Sequence, residues 1–216
     1  MSAALALIAH DLKNALGTLE SELVVMVDEP SADRAQMAHL HCADLRRQFV
    51  QFLTLYGVES EGLRALCDDE SPQALLASLK RIWQRKVHLE GRAIDIRISE
   101  FAQPAYWYFD RRLVQMALDA AIQNAVRFAH SRVELSVREC LVREPQTDGS
   151  PTTWLVWAVT DDGGGFGADR PCEAATGLGT SLCEAVARVH GLGDRQGRIQ
   201  LGPDPVEGTR FELWLP

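Results

Sequence analysis

The stretch Asp161-Asp162-Gly163-Gly164-Gly165-Phe166-Gly167, followed at a short distance by Thr176-Gly177-Leu178-Gly179-Thr180-Ser181, decides how this chain is read. Leu155, Val156 and Val159 precede it as a strand, and Leu182, Ala185, Val186 and Val189 follow at helical spacing. A strand therefore ends in an acidic, glycine-dense turn, and a second glycine pair opens a helix. Glycine lets backbone N–H groups come close to a bound group, and a helix N-terminus favours an anion. A carboxylate at a strand end can accept a hydrogen bond from an exocyclic amine such as that of adenine. The segment points to a nucleotide pocket, although many glycine-rich turns bind nothing. Neither cluster fits the Walker loop or the Gly-x-Gly-x-x-Gly dinucleotide fingerprint.

A third element sits upstream. Asn124-Ala125-Val126-Arg127-Phe128 lies on a strongly helical stretch. A helix-borne amide oxygen suits Mg²⁺, which keeps several waters and bridges phosphates. Arg127 adds positive charge on the phosphate side. Taken alone, an asparagine at such a position is more often a cap or a surface residue.

Composition narrows the function classes. The chain has 216 residues and a formal net charge of −8, which argues against a nucleic-acid partner. No apolar run is long enough to span a membrane, and the N-terminus lacks the pattern of a secretory leader, so the expected location is cytoplasmic. Five scattered cysteines with no C-x-x-C pair suit free thiols in a reducing compartment. His39 and His41 flank Cys42, but residues two apart point in different directions on a helix, which argues against a shared metal.

The periodicity divides the chain in two. Leu5, Ile8, Leu12, Ala15, Leu19 and Met26 follow a near-heptad spacing over residues 3–27. Asp28-Glu29-Pro30-Ser31 breaks it and caps a second helix over residues 32–56, with Met37, Leu40, Leu45, Phe49, Phe52 and Leu55 on its apolar side. Such a hairpin buries one seam and needs a partner, most simply a second copy forming a four-helix bundle. The acidic, weakly patterned residues 58–71 read as a linker. From Pro72 onward, helices over residues 72–86, 111–129 and 177–190 alternate with β patterns around Ile94–Ile98, Tyr106–Phe109, Val133–Val137, Trp154–Thr160, Ile199–Leu201 and Arg210–Leu215. The expected fold class is α+β, with helices on one face of a mixed sheet.

The first helix carries a second informative motif, His10-Asp11-Leu12-Lys13-Asn14. At 100° per residue His10 lies off the Leu12 seam, with Lys13, Asn14 and Gly17 on its own side. An adjacent carboxylate can hold one ring N–H and leave the other nitrogen as a nucleophile.

These motifs, in this order, resemble a bacterial two-component sensor histidine kinase over nearly the whole sequence. His10 through Asn14 looks like the H-box: the resemblance makes His10 the phosphorylated residue, Asp11 the general base and Asn14 the position serving transfer and dephosphorylation. Asn124 through Phe128 looks like the end of the N-box, with Asn124 as Mg²⁺ ligand. Asp161 through Gly165 looks like the first glycine box, Asp161 taking adenine beside Gly163 and Gly165. Gly177, Leu178, Gly179 and Thr180 look like the second, over the phosphates. Val186 through Gly191, and Gly208-Thr209-Arg210-Phe211 through Pro216, match the family's usual ending.

The resemblance implies residues 1–57 as a dimerisation and phosphotransfer hairpin and residues 72–216 as a Bergerat-type α/β sandwich binding ATP and Mg²⁺. It implies a homodimer, a response regulator receiver domain as partner, and input from a separate sensor protein, since nothing recognisable precedes the H-box. Departures are Ala120 where the family has another asparagine, Ala15 in place of a proline, and a short segment between the glycine boxes. The expected function is a soluble histidine kinase that autophosphorylates His10 and passes phosphate to an aspartate. The alternative is a dimeric histidine phosphotransferase with a weakened C-terminal domain. A serine kinase of the anti-sigma class matches only the C-terminal part and leaves His10 unexplained.

Overall fold

The computed structural model describes residues 3–60, 64–99, 104–143, 151–164, 178–204, 206 and 208–216. They fall into two compact units, one centred on an N-terminal hairpin and one on a mixed sheet.

In the first unit α1 (Ala3–Asp28) and α2 (Ala32–Ser60) are joined by a three-residue turn containing Pro30. The Ser31 carbonyl accepts the Ala35 N–H at 2.9 Å, and the Arg34 guanidinium donates to Glu29 at 2.6 Å, closing the turn. Leu12, Leu19, Ala38 and Leu55 are buried. His41 Nδ1 lies 2.7 Å from a Glu22 carboxylate oxygen, so the two helices are pinned together at these levels. His41 is thus paired with a carboxylate, and no His/Cys/Asp/Glu group able to hold a metal occurs among the described residues. The apolar side expected for α2 splits into two stripes. Ala38 and Leu55 are buried, whereas Met37 and Phe49 are each 51% exposed.

Residues 58–71, expected as a linker, contain more order than their pattern suggests. α2 runs on to Ser60, and β1 (Asp68–Glu70) pairs antiparallel with β3 (Trp107–Phe109). A three-residue acidic strand has no apolar alternation to announce it; its pairing is supported by the Arg111–Glu70 ion pair at 3.3 Å.

In the second unit α3 (Pro72–Leu89) starts at Ser71, whose side chain accepts the Ala74 N–H, and Pro72 occupies the first turn, where its missing N–H costs nothing. Leu75, Leu76, Leu79, Trp83 and Val87 form its buried face. Then come β2 (Asp95–Ile98), β3 and α4 (Arg111–Phe128), followed by β4 (Arg132–Arg143), β5 (Pro151–Asp161), α5 (Leu178–Val189, of which the part from Cys183 belongs to this unit), β6 (Arg198–Pro203) and β7 (Thr209–Leu215). The main sheet has the order β2-β4-β5-β7-β6, with β2 parallel to β4 and the remaining pairs antiparallel.

Both faces of β5 are buried, so its sequence is a continuous apolar run rather than an alternation. On the helical face Trp157 meets Phe109 edge-on at 5.6 Å. On the other face Trp154 packs against Trp214, and the Arg198 guanidinium lies 4.4 and 4.8 Å from their rings. Cationic stacking and indole area thus close this part of the face. Among the described residues no helix is long and apolar enough to cross a membrane.

The end of α5 is locked to the start of α4. His190 is buried; its Nδ1–H donates to the Val186 carbonyl at 2.7 Å, and its Nε2 accepts the Asp110 N–H at 3.0 Å. Asp110 in turn caps α4, accepting the Arg112 and Leu113 N–H groups, and also holds the Leu66 N–H. Both ring nitrogens are used by a neutral imidazole, and burial lowers the His190 pKa below the ordinary 6.5. The unfolded chain binds this proton more readily, so the contribution is complete above the ordinary value and is lost as pH falls from there through the folded one. Thermal stability is expected to drop below about pH 6.5, with a shallower slope in His190→Gln; equal slopes would show that His190 is not the titrating group.

Candidate functional site

The geometry of the second unit converges where β5 ends. Asp161, its last residue, pairs with Thr209 at the start of β7 and is buried. Its Oδ1 accepts the Gly163 N–H at 2.9 Å. Burial raises the Asp161 pKa, and hydrogen bonds from the Gly163 and Thr209 N–H groups oppose that shift. A carboxyl so placed is poorly hydrated, and an amine that supplies further hydrogen bonds favours its ionised form.

Two glycines make this junction possible. A Cβ on Gly163 would stand 2.5 Å from the Phe128 carbonyl oxygen and 2.8 Å from Asp161 Oδ1. The end of α4 therefore lies directly against the first glycine box. Gly208 has φ +83, and a Cβ there would collide with the Asp161 carbonyl oxygen. Only a residue without a side chain lets the turn before β7 pass so close to β5 in this conformation.

Asn124 and Arg127 occupy the last turns of α4 and are exposed, one turn and one residue before Phe128 respectively. The structure thus brings the N-box segment, Asp161 and Gly163 to one corner. Ala120 is buried in the α4 core face and has no atom to offer a metal. The Asp119 carboxylate accepts the Trp83 indole N–H at 2.8 Å, which commits it to the α3–α4 contact. Leu178, Gly179 and Thr180 form the first residues of α5, Leu178 buried and the other two half-buried. Gly165 and Gly177 lie outside the described residues.

Asp162 has a role that was not legible beforehand. Its carboxylate accepts the His130, Ser131 and Arg132 N–H groups at 2.9–3.0 Å and the Ser131 hydroxyl at 2.6 Å. Burial would raise its pKa, but these donors outweigh that and hold the group well below the usual carboxylate range. Asp161 and Asp162 are adjacent and opposite in use. One faces the junction half-satisfied; the other ties the α4–β4 turn to the end of β5. The only hint in the sequence is the acidic pair itself, because its partners lie some thirty residues upstream.

In the first unit His10 is on the exposed side of α1, away from buried Leu12. Its Nδ1 lies 3.2 Å from the Asn14 side-chain nitrogen, one helical turn on, and 3.6 Å from Asp11 Oδ1. Both neighbours therefore sit at the same ring nitrogen in alternative tautomers: Asn14 donates to Nδ1 when it is unprotonated, and Asp11 is the acceptor beside it when it carries the proton.

Residues 109–216 match the family model described as histidine kinase-, DNA gyrase B-, and HSP90-like ATPase. No curated protein matches the chain. Among solved structures, the Acinetobacter baumannii histidine kinase AdeS superposes with a TM-score of 0.69 at 18% identity, covering 95% of this chain and 96% of that one. Histidine kinase ThkA, solved in complex with the response regulator protein TrrA, gives a TM-score of 0.68 at 15% identity; the match covers 98% of this chain and 60% of that one. The cytoplasmic segment of histidine kinase QseC gives 0.57 at 15% identity, over 79% and 94%. At these identities the likeness is one of fold, a helical hairpin followed by a mixed-sheet domain.

Proposed function

The chain belongs to the histidine kinase-, DNA gyrase B- and HSP90-like ATPase family and has the fold of histidine kinases, and from that premise we propose that it phosphorylates His10 from ATP and passes the group to an aspartate of a receiver domain. The observation that carries this reading is the H-box geometry: an exposed histidine whose Nδ1 is addressed by both Asp11 and Asn14, in a chain whose C-terminal half is an ATPase domain.

The residues divide the work as follows. Asp161 accepts the adenine amine, and Gly163 lets the end of α4 close against that carboxylate. Arg127 supplies positive charge for the phosphates, and the resemblance assigns Gly165, Gly177, Leu178, Gly179 and Thr180 to phosphate binding as well. Asn124 supplies one amide oxygen, which suits Mg²⁺ because that ion retains most of its waters and takes few protein ligands. When bound, Mg²⁺ offsets charge on the phosphate oxygens.

The Asn14 amide N–H can donate to Nδ1 only while that nitrogen is unprotonated; in the reactive tautomer Nδ1 carries the proton, faces Asp11 instead, and the Nε2 lone pair is free. Nε2 attacks the γ-phosphoryl group; an N–P bond forms, the P–O bond to ADP breaks, and ADP leaves with the electron pair. Asp11 takes the Nδ1 proton, so the phosphorylated ring is not left as a cation. In the second transfer a receiver aspartate oxygen forms the new bond to phosphorus, and the ring recovers its proton as Nε2 departs. Asn14, beside the ring, is placed to orient the incoming group.

One observation favours a relay instead. Ala120 removes a second amide from the N-box, and Asp119 is committed to Trp83, so metal binding rests on fewer groups. Incubation with γ-labelled ATP and Mg²⁺ separates the two. Acid-labile label on the wild type, absent in His10→Ala, is the expected result. No label, with His10 still accepting phosphate from a phosphorylated receiver, would make the chain a phosphotransferase.

The hairpin also leaves Leu16, Leu23 and Val27 on α1 and Phe49, Leu53 and Tyr56 on α2 between 42% and 77% exposed. An apolar stripe of this length is what a second hairpin would cover in a four-helix bundle. Sedimentation of the intact chain should give a dimer, and Leu16→Glu/Leu53→Glu should shift it to monomer; a wild-type monomer would refute the bundle.

A further inference from the structure

The outer side of α3 carries a feature that phosphotransfer does not use. Lys80, Arg81, Arg85 and His88 are exposed and, with Ala77, Gln84 and Ile98, line an open groove of about 550 Å³. None of Lys80, Arg81 and Arg85 forms an ion pair among the described residues. Their neighbours do: Lys86 with Glu90 at 3.8 Å, Arg97 with Asp95 at 2.6 Å, Arg111 with Glu70 and Arg112 with Asp110. In a chain of net charge −8, three basic side chains on one helix face around an apolar floor favour an acidic ligand.

The groove also runs along a sheet edge. β2 is the outermost strand beside β4. Asp95 and Ser99 donate their N–H groups to β4 and its approach, so the backbone N–H and C=O groups of the even-numbered residues between them face away from β4. Gln84 already occupies part of that edge: its amide accepts the Ile96 N–H at 2.9 Å and donates to the Ile94 carbonyl at 3.3 Å. It mimics a neighbouring strand for two residues and stops there. The outward backbone of Ile98 lies just past it, at the groove.

We propose that this groove docks an extended acidic segment of a partner protein, its carboxylates on Lys80, Arg81, Arg85 and His88 and its backbone alongside β2 at Ile98. Main-chain bonds to an open edge supply affinity, and alternate side chains supply selectivity. An aliphatic residue between the carboxylates would rest on Ala77 and Ile98. The outward backbone of Ile98 beside these basic side chains suits an extended peptide, which brings backbone groups to pair with it, better than a lipid surface, which brings none.

The test uses the intact chain and a fluorescein-labelled peptide of four Glu-Val repeats, followed by anisotropy. Saturable binding is expected, weakened at least tenfold in Lys80→Glu/Arg81→Glu/Arg85→Glu. Ala77→Trp fills the groove without changing charge and should weaken binding as strongly, while leaving ATP affinity and circular dichroism unchanged. Unaltered binding in Ala77→Trp would reduce the site to diffuse charge attraction and overturn the proposal. Failure of the wild type to bind the peptide would overturn it, as would binding only to phosphatidylserine vesicles.

Discussion

The second unit depends on how closely the end of β5 is approached by its neighbours. Asp161 closes the strand, α4 ends against Gly163, and the turn at Gly208 passes over the Asp161 backbone. A methyl group at either glycine would push one of these elements away. Close approach is what buries this carboxylate while the Gly163 and Thr209 N–H groups bond it. In the proposed function the same carboxylate accepts the adenine amine, and its burial makes that bond selective for a donor.

The adjacent aspartates show how one local sequence serves two ends. Asp162 gathers four donors around a turn and behaves as structure; Asp161 accepts few and behaves as a site. The same contrast appears in the first unit. Leu12 is buried and anchors α1, while His10, two residues earlier, stands exposed with Asp11 and Asn14 at one ring nitrogen. In each case a rigid neighbour fixes the position of a reactive group, which is what phosphoryl transfer requires of a protein that supplies mainly alignment.

Much of this architecture was legible in the residues. α4 was clear because Asp110 caps it and Leu113, Val114, Ala117, Leu118, Ala121 and Ile122 repeat at helical spacing, and α3 because Pro72 opens it. Helices carry their signals within a few residues. The strand Asp68–Glu70 was not clear, because its stability comes from β3, some forty residues away, and its own side chains are acidic and mostly exposed. Met37 and Phe49 were grouped with Leu55 by hydrophobicity alone, which does not separate a seam within the hairpin from a face left for another hairpin. The Asp162 cap was hidden for the same reason as β1: its partners, His130 to Arg132, are local only in space. His190 read as part of a terminal motif, yet its role is to join α5 to the α4 cap.

The central claim is that Asp161 reads an exocyclic amine, and the most direct measurement is titration calorimetry with ATP and ITP on the wild type and Asp161→Ala. ITP presents an oxygen where ATP presents the amine. A buried acceptor facing that oxygen forfeits a charged hydrogen bond of about 1.5–3 kcal/mol, roughly a 10- to 150-fold change in affinity. The expected result is tight binding of ATP, ITP weaker by at least that range, and loss of both affinity and discrimination in Asp161→Ala. Equal binding of the two nucleotides by the wild type, or undiminished ATP binding by Asp161→Ala, would contradict the account.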